Sequence, residues 1–149
     1  MMVGEGSGAA PELNGLIERG KAAEAAGLDS AWIANIALDA MTASTALGAA
    51  TDHIEIGTAV VPTFTRHPMA MAQQAASTQL VCEGRFTLGV GLAHQFMVEN
   101  AWGLSYQKPA RHMRAYLEII KPLLDGKPIQ HESDQYKVNL QPPPGGNKT

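Results

Sequence analysis

Apolar residues recur along this chain in two alternating patterns, one typical of helices and one typical of buried strands. Segments with apolar residues every three or four positions alternate with short apolar or β-branched runs that end at glycine or proline. The predicted helices are Pro11–Ala26, a helix capped by Asp39 that ends near Thr51, Pro68–Glu83 and Pro109–Leu124. The predicted strands are Met1–Val3, Ser30–Ala34, Ile54–Val61 and Phe86–Val90. Such alternation is typical of parallel βαβ units and predicts an α/β fold.

The patterns also predict how some of these elements pack. In the last helix the inward stripe is expected to be Met113, Leu117, Ile120 and Leu124. Gly57, in the middle of a predicted strand, is expected to let another group approach the backbone closely. Gly91–Lys108 has no clear period and is predicted to be a long loop, of the kind that is usually functional or disordered. Ile129–Leu140 alternates around a polar turn and predicts a small hairpin.

Composition and charge narrow the class of protein. The chain has 149 residues, of which 45% are hydrophobic and 17% charged, and this composition is typical of a globular domain. A net charge of −3, without any lysine or arginine cluster, argues against nucleic-acid and membrane partners. Cys82 is the only cysteine, and the first residues lack a signal-peptide pattern, so we expect a cytoplasmic protein.

The sequence carries few signs of metal or nucleophilic chemistry. No histidines or carboxylates have a metal-ligand spacing such as H-E-x-x-H, so no metal is predicted. Cys82 lies late in a predicted helix and is interpreted as a small buried apolar residue rather than a nucleophile. Read as a dinucleotide-binding fingerprint, the glycine pair Gly89 and Gly91 fails because His94 stands where the third glycine belongs.

Four segments together resemble the bacterial luciferase-like monooxygenase family, and most closely its branch that uses the deazaflavin coenzyme F420. These segments are Ala22–Asn35, Ile54–Ser77, Gly84–His94 and Trp102–Gly126. The resemblance implies a partial (β/α)8 TIM barrel of about four β/α units with parallel strands, followed by the small hairpin. Because a closed barrel needs about 250 residues, residues 1–126 are interpreted as the N-terminal half of a barrel domain. Residues 127–149 are interpreted as a hairpin insertion with a flexible tail.

The resemblance also implies a coenzyme site at the tips of two strands. At Ala59 and Val60 it implies a bulge, with a non-proline cis peptide bond, behind the central ring of the coenzyme; the alternative is an ordinary strand with a trans bond. At Gly91, Leu92, Ala93 and His94 it implies a pocket wall whose backbone amides bond ring carbonyls. The alternative there is a tight turn that only needs glycine. We expect these two tips to lie side by side.

Three polar side chains near this site receive separate interpretations. Asn35 ends a strand where many relatives carry an acidic residue followed by histidine, so it is predicted to contact the coenzyme or to be a simple turn residue. An amide is a poor proton donor or acceptor, so Asn35 is not expected to perform the acid–base chemistry of those relatives. His94 is the candidate catalytic residue because an imidazole titrates near neutral pH. His112, in the first turn of a helix, is expected to be exposed.

The resulting prediction is an oxidoreductase, when the full barrel is present, that transfers hydride between reduced coenzyme F420 and a small organic substrate. One alternative is an FMN-dependent monooxygenase that acts on paired donors with O2. Another is an inactive half-barrel or assembly module. An open parallel sheet leaves unpaired edges, so the expected partners are a small-molecule substrate and either a second copy or a complementary half-barrel.

Overall fold

The computed structural model describes Met1 and residues 12–141. Met2 and Val3 of the first predicted strand, and the predicted tail, lie outside the described residues. The helices are α1 Leu13–Ala25, α2 Ala40–Gly48, α3 Pro68–Val81 and α4 Pro109–Leu124. The strands are β1 Ser30–Ile33, β2 Glu55–Thr58, β3 Val61–Pro62, β4 Phe86–Thr87, β5 Val90–Gly91, β6 Ile129–Glu132 and β7 Lys137–Leu140.

The chain divides into two compact units. The first comprises Met1–Val61 with Ser77–Val90, and the second comprises Pro62–Ala76 with Gly91–Thr149. In the first unit, β1, β2 and β4 form a parallel sheet in the order β1–β2–β4. Helices α1 and α2 connect to these strands in alternation, which confirms the predicted parallel α/β arrangement.

The parallel sheet depends on one bare backbone position. Gly57 of β2 is paired with Trp32 of β1, and a Cβ atom at Gly57 would lie 2.3 Å from the indole ring. The Trp32 side chain therefore lies directly on the Gly57 backbone, where no larger residue fits. This contact confirms the close approach predicted for Gly57.

Two predicted strands are interrupted. Ile54–Val61 was expected as one strand, but pairing stops after Thr58 and resumes at Val61. The reason is an exchange of partners: the Ala59 N–H donates to Ile33 O at 2.8 Å, whereas the Val61 N–H donates to Gly89 O at 2.9 Å. Phe86–Val90 is divided in the same way, into β4 and β5.

Helix α2 begins where the sequence predicts and ends earlier. Asp39 caps it, with its carboxylate accepting from the Thr42 N–H at 2.8 Å, which confirms the predicted cap. The helix ends at Gly48 rather than near Thr51. The carbonyl oxygens of Gly48 and Thr51 bond the Arg85 guanidinium, and this side chain closes the end of the helix.

Helix α4 has its predicted bounds, but its buried face is displaced. Of the four residues expected on the inward stripe, only Ile120 is buried, and Leu117 is 37% exposed. The buried face consists of His112, Ala115, Tyr116, Ile119 and Ile120. These residues recur at a helical spacing, and one of them is a histidine. The prediction considered only unbranched and branched apolar side chains, so it did not identify this face. His112 is only 5% exposed, so its predicted exposure is wrong.

The second unit contains the hairpin and a short helical turn. Strands β6 and β7 pair in antiparallel fashion, as predicted. The predicted loop Gly91–Lys108 contains a π-helical turn, Met97–Ala101, in which Val98 is fully buried. One anchoring residue orders this turn, and a single apolar position gives no period to detect in a sequence.

Glu24 of α1 clamps the segment that leads into β2. Its Oε1 accepts backbone N–H groups from Asp52, His53 and Ile54 at 2.9, 2.6 and 2.9 Å. These bonds, the one from His53 above all, hold the pKa of the Glu24 carboxyl below its ordinary range. The charged carboxylate therefore stabilises the fold.

Glu24→Gln is expected to lower the free energy of unfolding by about 2 kcal/mol at pH 7, since hydrogen bonds to a charged acceptor are lost. A carboxyl whose pKa is lowered by folding stabilises the protein above its ordinary value of about 4.3 and loses this effect as pH falls through the folded value. The difference from wild type is therefore expected to shrink in acid. Urea unfolding at several pH values measures it. Glu18→Gln, at an exposed site on the same helix, is the control; a pH-independent difference at Glu24 would contradict the clamp.

Candidate functional site

In the first unit, the predicted bulge lies just beyond β2. The Ala59–Val60 peptide bond is cis, as the resemblance implies. Val60 is 44% exposed, although its neighbours Thr58 and Val61 are both buried. The tip of this strand therefore presents an aliphatic side chain outward.

Gly89 seals this tip against the neighbouring strand. The Thr58 hydroxyl donates to Gly89 O at 2.9 Å and accepts the Gly89 N–H at 2.9 Å. A Cβ atom at Gly89 would lie 2.0 Å from Thr58 O and 3.4 Å from a methyl carbon of Val60. Thr58 and Gly89 thus lie side by side in the first unit, whereas the predicted adjacency of Ala59 and Gly91 stays a prediction.

Asn35, also in the first unit, has a local structural contact. Its Oδ1 accepts the N–H of Ala40, the first residue of α2, at 3.0 Å. Asn35 therefore supports the start of α2 together with the Asp39 cap. Its amide oxygen is engaged there, which corresponds to the turn-residue alternative; the predicted coenzyme contact stays a prediction.

In the second unit, hydrogen bonds hold the carbonyl groups of Gly91 and Ala93. Gly91 O accepts both the N–H and the hydroxyl of Thr63, at 2.9 and 3.3 Å. Ala93 O accepts the Tyr106 hydroxyl at 3.4 Å. Ala93 adopts a φ of +62°, in the left-handed region that L-residues seldom occupy. This segment is thus held in a defined conformation by polar tethers.

Leu92 and His94 face different surroundings within this segment. The Leu92 side chain lines a groove of about 720 Å³ along α4, beside Met113 and Leu117. His94 is exposed, and its carbonyl accepts the N–H groups of Met97 and Val98, at 2.9 and 3.1 Å, where the π-helical turn begins. The His94 imidazole is therefore accessible to proton transfer.

A buried aromatic cluster in the second unit escaped the sequence-based predictions. His112 Nε2 lies 3.0 Å from the Thr63 hydroxyl, and the imidazole stacks on Phe64 with ring centroids 4.0 Å apart. Burial lowers the pKa of His112 and raises that of Tyr136 to about 12, so both are neutral near pH 7. The signal that would have found His112 is its helical spacing with Tyr116 and Ile119.

Other chemistry is sparse among the described residues. Cys82 is fully buried, and burial raises the pKa of its thiol, as expected of a small apolar residue. Between Met1 and residue 141, the described part of the chain contains no cluster of three histidine, cysteine or acidic residues that would suit a metal ion. Across that same part, no helix has the length and apolar character needed to cross a membrane.

Comparison with known protein sequences shows which proteins this chain is similar to. The sequence profile of luciferase-like monooxygenases matches residues 2–148. The F420-dependent glucose-6-phosphate dehydrogenase of Microbacterium testaceum is 33% identical over 139 residues, which cover 84% of this chain and 41% of that protein. The chain spans between 35% and 41% of the length of such curated relatives.

Solved structures share the fold. The coenzyme F420-dependent tetrahydromethanopterin reductase of Methanopyrus kandleri aligns with a TM-score of 0.77 at 21% identity, covering 95% of this chain and 44% of that one. The oxygenating constituent of 3,6-diketocamphane monooxygenase from Pseudomonas putida, in complex with FMN, aligns with a TM-score of 0.73 at 21% identity, covering 89% and 40%. These likenesses confirm the predicted fold class, a partial TIM barrel with parallel strands. The chain belongs to the luciferase-like monooxygenase family.

Proposed function

We propose that this chain functions in a deazaflavin- or flavin-dependent oxidoreductase, and that the reaction is hydride transfer between reduced coenzyme F420 and a small organic substrate. The observation that carries the proposal is the family match, which spans both strand tips. A curated relative whose name states F420 dependence supports this choice of coenzyme. FMN with O2 is the second candidate, supported by the shared fold of a monooxygenase in complex with FMN.

Each of the two tips, taken by itself, carries residues that suit contact with a planar ring. Ala59, Gly89, Gly91 and Ala93 have small side chains or none, so the backbone can approach a flat surface closely. When bound, the reduced coenzyme supplies hydride from its central ring. In this proposal Val60 supports one face of the ring, and backbone amides of Gly91–Ala93 donate to its carbonyl oxygens.

Two polar residues complete the proposed site. The Asn35 amide oxygen accepts the N–H of Ala40, and in this proposal its amino group donates to coenzyme or substrate. A carboxamide does not ionise near neutral pH, so Asn35 positions the coenzyme or substrate and does not act as an acid or base. The imidazole of His94 is exposed, and we assign it the transfer of a proton to or from the substrate.

The chain is expected to bind coenzyme F420 saturably and FMN weakly or not at all. The measurement is a fluorescence titration of each coenzyme against the 149-residue chain. Preference for FMN would favour the monooxygenase alternative. Binding of neither coenzyme would overturn the proposal and favour the assembly-module alternative, which light scattering tests by the oligomeric state.

A matched pair of variants locates the binding surface in the same titration. Val60→Asp is expected to raise the dissociation constant for F420 by about tenfold or more, because a charge would be buried against the ring. Leu80→Asp introduces the same charge on α3, at a residue that is 63% exposed, and is expected to leave the dissociation constant unchanged. Equal effects of both variants would exclude Val60 as a contact.

A further inference from the structure

A chain of hydrogen bonds runs from the hairpin, through α4, to the segment that is proposed to contact the coenzyme. Within the second unit, Tyr136 OH lies 3.5 Å from His112 Nδ1, and His112 Nε2 lies 3.0 Å from Thr63 Oγ1. Thr63 in turn donates its hydroxyl to Gly91 O at 3.3 Å. All of these hydrogen-bonded residues lie in the described part of the second unit.

The bond from the Thr63 hydroxyl to Gly91 O requires one arrangement of the protons. A backbone carbonyl only accepts hydrogen bonds, so in this bond the Thr63 hydroxyl is the donor. In that arrangement the Thr63 oxygen accepts from His112, whose Nε2 carries the proton. A neutral imidazole has one N–H, so Nδ1 then accepts, and Tyr136 donates to it.

The surroundings of His112 favour the neutral form of its ring. The ring is buried, stacks on Phe64 with an interplanar angle of 2°, and lies beside Tyr116. Burial lowers the pKa of His112, and a hydrogen bond with the Gln135 side chain opposes that shift without reversing it. The stacking also fixes the plane in which Nε2 points at Thr63.

Two bonds from Thr63 set the orientation of a peptide plane, and the one from its hydroxyl is the last bond of the chain that begins at Tyr136. Gly91 O accepts two bonds from Thr63, one from its N–H and one from its hydroxyl. In a trans peptide the C=O and N–H groups point in opposite directions. The Leu92 N–H is therefore directed away from Thr63, and its direction is fixed for as long as Thr63 holds the carbonyl.

We propose that His112 is a positioning residue: through Thr63 it holds the Gly91 carbonyl, and thereby aims the Leu92 N–H at the coenzyme ring. This inference rests on the proposed function, since the coenzyme is the acceptor of that N–H. His112 itself does not touch coenzyme or substrate. Its contribution is preorganisation of a donor, which strengthens binding because the peptide is not free to rotate.

The test compares variants at both ends of the His112–Thr63 bond. His112→Phe keeps an aromatic ring to stack on Phe64 but has no donor, and it is expected to weaken F420 binding about tenfold. His112→Gln restores an N–H donor and is expected to recover most of that loss. Tyr116→Phe removes a buried polar group from the same helix and is the control. It is expected to leave the dissociation constant for F420 unchanged.

Thr63 provides a second route to the same answer, should His112→Phe fold poorly. Thr63→Val removes the hydroxyl at nearly constant volume and is expected to weaken binding as much as His112→Phe does, whereas Thr63→Ser keeps the hydroxyl and binds like wild type. The double variant is expected to be no worse than either single one, because both break one chain of bonds.

A spectroscopic readout needs no coenzyme. Nitrogen-15 NMR of the free chain is expected to show the Nε2–H tautomer of His112, and a shift of the Leu92 amide in His112→Phe that Tyr116→Phe does not produce. Wild-type binding together with unchanged affinity in His112→Phe and Thr63→Val would overturn this inference and leave the proposed function standing. Failure of the wild type to bind either coenzyme would overturn both.

Discussion

Gly89→Ala is expected to lower the free energy of unfolding by about 3 kcal/mol, the upper part of the range for overpacking a tight site. The added methyl would lie 2.0 Å from Thr58 O, an atom of the backbone. Thr58 cannot retreat easily, because it belongs to β2 and its hydroxyl holds both the N–H and the carbonyl of Gly89. Strand separation is the only relief, and it breaks these bonds.

Gly15→Ala is the matched control for this variant. A Cβ atom at Gly15 would lie 3.3 Å from Arg19 Nη1 and from Glu12 Oε2, both at the ends of flexible side chains. Because Gly15 lies in α1, alanine there is expected to stabilise the chain by about 0.5–1 kcal/mol. Urea unfolding followed by circular dichroism measures both variants. A loss below about 0.5 kcal/mol for Gly89→Ala, the size of an ordinary surface effect, would show that the strand tips are not in this close contact.

Arg85→Met is expected to destabilise the chain by about 3 kcal/mol, because several buried carbonyl groups would lose their donor. The guanidinium bonds Gly48 O at 3.1 Å, Thr51 O at 2.8 Å and Ile54 O at 3.0 Å. The first of these lies at the C-terminal end of α2, where a cation is favoured by the helix dipole. Methionine fills similar space but donates nothing.

The matched control for Arg85 is Arg114→Met, at an exposed position of α4. It removes an equal charge and is expected to change the free energy of unfolding by less than about 0.5 kcal/mol. Raising the salt concentration should leave the effect at Arg85 nearly intact, because its partners are carbonyl groups at short range. Equal losses at Arg85 and Arg114 would mean that net charge, rather than the hydrogen bonds, is responsible.

Much of the fold was predictable because it depends on local patterns. The bounds of α4 follow from a proline at the start and an apolar period, the Asp39 cap follows from its position before a helix, and the hairpin follows from alternation. Gly57 was interpretable from sequence because a glycine inside a strand implies a close neighbour. That neighbour, Trp32, lies 25 positions away, and only the strand register identifies it.

The remaining features depend on contacts between distant positions. The interruption after Thr58 arises because Val61 finds its partner at Gly89, which no pattern around Thr58 shows. The burial of His112 depends on Phe64 and Thr63, almost fifty residues earlier. Asn35 was identified as a site residue by resemblance, and its bond to Ala40 is a local role that the resemblance does not contain.

The Thr58–Gly89 contact also limits what the first strand tip can offer to any ligand. The N–H of Gly89 is taken by the Thr58 hydroxyl, and its carbonyl accepts from both that hydroxyl and the Val61 N–H. The backbone N–H and carbonyl of Gly89 therefore already have hydrogen-bond partners, so this residue contributes surface shape but no free polar group to a ligand. Selectivity between ligands at this glycine must come from surface curvature and size, and polar discrimination has to be supplied by residues elsewhere along the chain.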